Sequence, residues 1–69
     1  MNGWNETTGT TDHTQLMRYV RKLSHAALTY VRRDSHEAML ANPAGRKSGY
    51  YADIASYCGM RLNGTALPC

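Results

Sequence analysis

Residues 12–41 read DHTQLMRYVRKLSHAALTYVRRDSHEAMLA, and this stretch carries the longest helical pattern in the chain. Its apolar side chains recur at spacings of three and four residues, which places them on one face of an α-helix. They are Leu16, Val20, Leu23, Ala27, Tyr30, Val31, Ala38 and Ala41. Asp12 is a suitable N-cap, and Pro43 disfavours helical backbone at the residue before it. The stretch therefore predicts one long helix over residues 12–41.

A second, shorter helix is predicted over residues 49–62, after a turn at residues 42–48 that contains proline and glycine. One face of this helix is largely apolar and consists of Tyr51, Ile54, Ala55, Cys58 and Leu62. Residues 1–11 have no apolar period and are predicted to be a flexible arm, and residues 63–69 are predicted to be a C-terminal tail. The predicted fold class is all-α, with residues 12–62 folded as a two-helix antiparallel hairpin.

The two predicted helices differ in length, and this difference suggests a homodimer. The short helix can cover only the C-terminal half of the long one, while the N-terminal half keeps its own apolar stripe. A second copy of the chain is the simplest cover, which predicts a four-helix arrangement of two hairpins. The predicted dimer interface consists of Leu16, Tyr19, Val20, Leu23, Ala27 and Val31.

Composition excludes several classes of protein. Sixty-nine residues allow one domain at most, and a chain this short buries a small fraction of its surface. The chain has no apolar run of the roughly 20 residues that a membrane span requires. It has two cysteines, no metal-binding cysteine pair and no signal-peptide pattern. These features predict a cytoplasmic protein that does not enter a membrane. The net charge of +3 permits a nucleic acid or an acidic partner without requiring either.

Asp34 interrupts the apolar stripe of the long helix. A buried carboxylate without a partner is unfavourable, so we expect it to bond a tyrosine hydroxyl or a basic side chain. The alternative is that it marks a polar pocket that reaches the surface.

The histidines do not form a catalytic or metal-binding pattern. His36 and Glu37 begin like the zinc-binding helix of metalloproteases, but Leu40 stands where that motif needs a second histidine. His13 and His25 are not four residues from another histidine, so they cannot share a metal on one helical face. The sequence therefore predicts a protein without enzymatic activity, metal or cofactor.

Two kinds of binding surface remain. A basic strip opposite the apolar stripe could follow a phosphate backbone, as in four-helix bundles that bind RNA. It consists of Arg18, Arg21, Lys22, His25, Arg32 and Arg33. The other surface is a protein contact, because tyrosine and arginine are enriched where binding energy concentrates. Its candidate residues are Tyr50, Tyr57, Arg61, Met39, Glu37 and Asp53.

Four segments of the chain resemble a known family. They are MRYVRKLSHAALTYVRRD (17–34), EAM (37–39), ANP (41–43) and GYYAD (49–53). They are similar to small early proteins of temperate phages that infect pseudomonads, the phage-encoded quorum-sensing anti-activators. The resemblance implies a homodimer of helical hairpins that binds a LuxR-type transcription activator at its DNA-binding domain and keeps it from its operator. It also implies a second target, the type IV pilus assembly ATPase.

The resemblance assigns no contact residues in this chain. DNA-binding domains are basic, so the acidic side chains of Glu37 and Asp53 suit such a partner better than the basic strip does. The expected function is inhibition of a host regulatory protein, with nucleic-acid binding through the basic strip as the alternative.

Overall fold

A computed structural model describes residues 3–67. Over these residues the elements in chain order are β1 (Trp4–Asn5), β2 (Thr10–Thr11), α1 (His13–Arg21), α2 (His25–Ala41) and α3 (Ser48–Leu62). The predicted two-helix all-α hairpin is therefore wrong. Three helices and a two-stranded antiparallel sheet replace it.

The predicted long helix is broken at residues 22–24. Ser24 has an extended backbone (φ −67°, ψ 165°), and its hydroxyl accepts a hydrogen bond from the backbone N–H of Ala27 at 3.2 Å. This is the N-cap geometry for which serine is well suited, and it starts α2. On the other side of the break, the Lys22 N–H donates to the carbonyls of Tyr19 and Val20 and ends α1. The break divides the predicted helix into two, α1 and α2.

The break also changes which side of α2 is buried. Leu28 and Ser35 are buried and Val31 is half-buried, whereas Tyr30 and Asp34 are exposed. Asp34 therefore does not lie in the core. Its carboxylate lies 4.0 Å from the Arg33 guanidinium, and its side chain is 49% exposed. The expectation of a buried carboxylate at this position is wrong.

Residues 3–11, expected to belong to a flexible arm, fold into a small hairpin that packs on the helices. Trp4 pairs with Thr11 in the two-stranded sheet, and the side chain of Trp4 is only 7% exposed. The Gly3 backbone lies against α1, because a Cβ at Gly3 would stand 2.5 Å from the Cβ of Leu16. Gly3 has φ +82°, which glycine adopts without strain. Residues 1–2 of the predicted arm lie outside the described residues.

The core is built within one chain. Leu16 and Val20 of α1 are fully buried, and they pack with Trp4 of the hairpin and with an apolar row on α3. That row consists of Tyr50, Ile54 and Cys58. Burial raises the pKa of the Cys58 thiol, although the guanidinium groups of Arg32 and Arg61 act in the opposite direction. Leu67 of the predicted tail also packs against this core, and residues 68–69 are not described.

This packing removes the reason for the predicted four-helix dimer. The N-terminal half of the long helix was expected to lack cover, but α3 contacts both α1 and α2 and Trp4 covers the remainder. The predicted elements of the C-terminal part of the chain agree best with the structure. A turn was predicted at residues 42–48 and a helix at 49–62, and α3 spans Ser48–Leu62.

Replacing Ser24 with alanine should lower the free energy of unfolding by about 1 kcal/mol, the usual effect of losing a serine N-cap. The backbone N–H of Ala27 would lose its acceptor at the start of α2. Chemical denaturation followed by circular dichroism measures the change. Ser56→Ala is the matched control, because Ser56 lies inside α3 and caps no helix. An equal effect of the two substitutions would contradict the assigned cap.

Candidate protein-binding surfaces

The tyrosine ridge predicted to contact a partner is largely internal. Tyr50 is 3% exposed, and its ring lies 5.5 Å from the rings of Trp4 and Tyr51. Burial raises the pKa of the Tyr50 hydroxyl. The Tyr57 hydroxyl lies 2.8 Å from Nδ1 of His13, so Tyr57 ties α3 to the first residue of α1. These two tyrosines hold the fold together.

Arg61 also acts within the chain. Its Nη1 donates hydrogen bonds to the carbonyls of Val20 and Arg21, both at 2.9 Å, and to the carbonyl of Leu23 at 3.2 Å. The last carbonyls of a helix have no partner inside the helix and carry partial negative charge. The Arg61 guanidinium therefore caps α1 at the point where the chain breaks before α2. The apolar pattern of the sequence gives no indication of this role, because it predicts no helix end at residues 20–23.

The residues predicted to form the dimer interface take part in packing within the chain. Leu16 and Val20 are fully buried, and Tyr19, Leu23 and Val31 are half-buried against the core. Ala27, the sixth residue of the set, is half-buried in α2.

The basic strip is exposed but divided. Arg18 and Arg21 lie on α1, Lys22 lies in the break, and the remaining three residues lie on α2. These are His25, Arg32 and Arg33, and all six residues of the strip are exposed. Because α1 and α2 are separate helices, the six side chains do not form one continuous row.

A groove of about 530 Å³ opens between α2 and α3. From α2 it is lined by Thr29, Arg32, Arg33, His36 and Met39, and from α3 by Ala52, Ala55, Ser56 and Leu62. Its cationic groups all come from α2, while α3 contributes small or apolar side chains. None of the lining residues carries a carboxylate. Met39, a predicted partner-binding residue, lies in this groove.

A second surface, the outer face of α2, consists of Tyr30, Asp34, Glu37 and Leu40. The exposed large hydrophobic side chains of residues 3–67 are Tyr30, at 59%, and Leu40, at 62%. At about 100° per residue, the four positions share the side of the helix opposite the buried Leu28 and Ser35. Asp34 and Glu37 lie between the two apolar side chains and are exposed.

Arg33 borders both surfaces, and Asp53 belongs to neither. The Arg33 guanidinium lies 5.3 Å from the centre of the Tyr30 ring, a cation–π arrangement. Asp53 is half-buried on α3. Of the six residues predicted to bind a partner, the structure thus places Glu37 on the outer face and Met39 in the groove. Tyr30 and Leu40 were missed as contact residues, because the predicted continuous helix put Tyr30 in the core.

A charged clamp covers the N-terminal hairpin. The Lys47 ammonium lies 3.3 Å from the Glu6 carboxylate and 5.5 Å from the centre of the Trp4 ring, and the Arg46 guanidinium lies 5.9 Å from the same ring. The indole N–H of Trp4 and the Lys47 ammonium lower the pKa of Glu6. The buried indole Nε1 is nevertheless outside hydrogen-bonding geometry with every described group. Arg46 and Lys47 thus both place a positive charge near the Trp4 ring.

A metal-binding cluster and a membrane-spanning helix are both absent from residues 3–67. Residues 3–67 contain no group of three histidine, cysteine, aspartate or glutamate side chains placed to hold a metal ion. Within the same residues, no helix has the length and apolar character to cross a membrane. Comparison with known protein families, with curated proteins and with solved structures gives no match, so the two surfaces of α2 are interpreted from their own residues.

Proposed function

We propose that this is a non-enzymatic protein that binds and inhibits a bacterial regulatory protein through the outer face of α2. The observation that carries the proposal is the exposure of Tyr30 and Leu40 on either side of two exposed carboxylates. Exposed apolar groups on an ordered helix are typical of a face that docks in a partner's groove. A helix already folded in the free protein also loses little conformational entropy when it binds.

The spacing of the outer face supports a helical docking mode. Tyr30, Asp34, Glu37 and Leu40 follow one another at intervals of four, three and three residues, the repeat of one helical face. Tyrosine is among the residue types that contribute most binding energy at protein interfaces. The carboxylates of Asp34 and Glu37 would favour a partner with basic groups around an apolar pocket.

The resemblance to phage anti-activators supplies a candidate partner. A LuxR-type transcription activator binds DNA through a basic domain, and the exposed carboxylate of Glu37 on the outer face suits such a domain. Occupation of that domain would prevent the activator from engaging its operator, in the cytoplasm of an infected host. The type IV pilus assembly ATPase is the second candidate target. Self-association is not part of the proposal, because the apolar half that suggested it is covered within one chain.

The proposed role of the outer face can be tested by measuring whether this protein displaces operator DNA from a LuxR-type activator. Fluorescence anisotropy of a labelled operator duplex reports how much protein is needed to displace it from the purified activator. The double variant Tyr30→Ala, Leu40→Ala should need at least about tenfold more protein, equivalent to about 1.4 kcal/mol of binding free energy. Glu37→Lys should also weaken inhibition, because it reverses one of the complementary charges.

Arg18→Ala is the matched control for these variants, since Arg18 is exposed on α1 and lies outside the outer face. Its inhibition should stay within about twofold of wild type, less than about 0.5 kcal/mol. Undiminished inhibition by the double variant would contradict the proposed surface. Failure of the wild-type protein to displace DNA would contradict the proposed partner.

Nucleic-acid binding is the second candidate, and the exposure of all six residues of the basic strip favours it. In the same titration, this function would appear as binding of the labelled duplex by the protein without any activator. Affinity would then fall steeply with added salt, and Arg21→Ala would reduce the salt dependence. Duplex binding with both properties would replace the protein-inhibitor proposal.

A further inference from the structure

The groove between α2 and α3 is a feature of the fold that lies apart from the outer face. It is open because its α3 side has small side chains, Ala52, Ala55 and Ser56, where larger ones would close the space. Farther along α3, Gly59 lies beneath Arg32, and a Cβ there would stand 3.4 Å from Nε of Arg32. The groove volume of about 530 Å³ falls in the range of functional binding sites.

The dimensions of the groove suit a short helix. Its α2 wall runs from Thr29 to Met39, and a rise of 1.5 Å per residue makes this wall about 15 Å long. Two to three turns of a partner helix would occupy that length. Met39 and Leu62 give the groove apolar ends, and Ala52 and Ala55 give it an apolar wall. Apolar side chains of a partner at spacings of three and four residues would fill it.

The positive charge of the groove favours binding of an acidic partner. Arg32, Arg33 and His36 line one wall, and no carboxylate faces them across the groove. Among residues 3–67, the ion pairs are those of Arg33 with Asp34 and of Lys47 with Glu6, so the Arg32 guanidinium has no carboxylate partner. A carboxylate on a partner would form a charge-assisted hydrogen bond with that guanidinium.

We infer that the α2–α3 groove is a docking site for an acidic amphipathic helix of a protein partner. The apolar groups of the groove favour a peptide over nucleic acid, because a phosphate backbone brings charge but no side chains to fill an apolar space. Leu40 and Tyr30 do not line the groove, so this site and the outer face can be altered separately. The inference does not depend on the proposed inhibition of an activator.

A designed peptide tests the inference directly. The probe is a fluorescein-labelled helical peptide of about 14 residues, or about four turns, with leucines along one face and glutamates on both flanks. Fluorescence anisotropy measures its binding to the full chain. Arg32→Glu should weaken binding at least about tenfold, and Ala55→Leu should do the same by filling the groove without changing its charge. Arg18→Glu, a charge reversal outside the groove, should change binding by less than about twofold.

Two further measurements decide between occupants. A peptide with lysines in place of the glutamates should bind at least about tenfold more weakly than the acidic one. Amide resonances of Ala52 and Ala55 should shift when the acidic peptide is added, and circular dichroism should show that both groove variants keep their helices. Equal affinities for the two peptides would overturn the inference. It would also be overturned if Arg32→Glu and Ala55→Leu both left the affinity for the acidic peptide unchanged in folded protein. A single-stranded oligonucleotide that displaces the acidic peptide and shifts the same amides would overturn it in favour of nucleic acid.

Discussion

Replacing Trp4 with alanine is expected to lower the free energy of unfolding by about 3–5 kcal/mol, the usual range for removing a buried aromatic side chain. Trp4 is only 7% exposed, and it packs in the same core as Leu16 and Tyr50. A domain of this size is stable by only about 3–10 kcal/mol. The substitution should therefore unfold a large fraction of the protein at physiological temperature.

Urea denaturation followed by far-ultraviolet circular dichroism measures this effect without relying on tryptophan fluorescence. Trp4→Phe is the control, because it keeps an aromatic ring against Tyr50 and should lose less stability than Trp4→Ala. A flexible arm, as the composition of residues 1–11 suggested, would leave the denaturation midpoint unchanged in both variants. An unchanged midpoint for Trp4→Ala would thus contradict the packed hairpin.

Replacing Arg61 with alanine is expected to lower the free energy of unfolding by about 2–4 kcal/mol. A hydrogen bond to a charged group contributes about 1.5–3 kcal/mol, and three bonds that share one nitrogen contribute less than their sum. The substitution removes a donor of the Leu23 carbonyl and one donor of the Val20 carbonyl, which still accepts a hydrogen bond from the backbone N–H of Leu23. It also removes the positive charge from the C-terminal end of α1.

The effect of Arg61→Ala should concentrate where α1 ends. Hydrogen exchange should become faster for the amides of Lys22 and Leu23, whose backbone bonds to Tyr19 and Val20 form the last turn of α1. Arg18→Ala, which removes an exposed arginine from the same helix, should change stability by no more than about 0.5 kcal/mol. Arg61→Lys keeps a positive charge and should lie between wild type and alanine. Equal stability of the Arg61 and Arg18 variants would contradict the capping role.

Periodicity predicted the helical regions well and the break within them poorly. The predicted helix at residues 49–62 differs from α3 by one residue at its start. Asp12, predicted as an N-cap, accepts a hydrogen bond from the Gln15 N–H. The break at Ser24 was missed because apolar residues keep the same spacing on both sides of it. Serine, which is both tolerated in helices and favoured at N-caps, gave an ambiguous signal.

The hairpin was missed for a different physical reason. Each of its strands has two residues, too few for an alternating pattern to be detected. Besides a local turn, in which the Asn5 side chain accepts hydrogen bonds from the N–H groups of Thr7 and Thr8, the hairpin is held by the tertiary contacts of Trp4. In a segment rich in threonine and glycine, a single tryptophan gives no indication of where it will pack.

The candidate site was predictable in part. Glu37 was identified as a possible contact, and the structure exposes it on the outer face of α2. Tyr50, Tyr57 and Arg61 were assigned to a partner because their residue types are common in interfaces. The same residue types also pack and form hydrogen bonds within a chain. Here Tyr50 is buried in the core, Tyr57 contacts His13, and Arg61 caps α1. Sequence alone cannot separate these two uses, since the distinction depends on contacts such as the one between Arg61 and Val20, 41 positions apart.

That separation along the chain has a consequence during protein synthesis. Arg61 reaches α1 across 41 positions, and His13 meets Tyr57 across 44. At a translation rate of about 5–20 residues per second, α1 waits about 2–8 s for the segment that covers it. During that interval Leu16 and Val20 have no α3 to pack against. The nascent chain is therefore more open to chaperones, proteases and aggregation before α3 is made than after it.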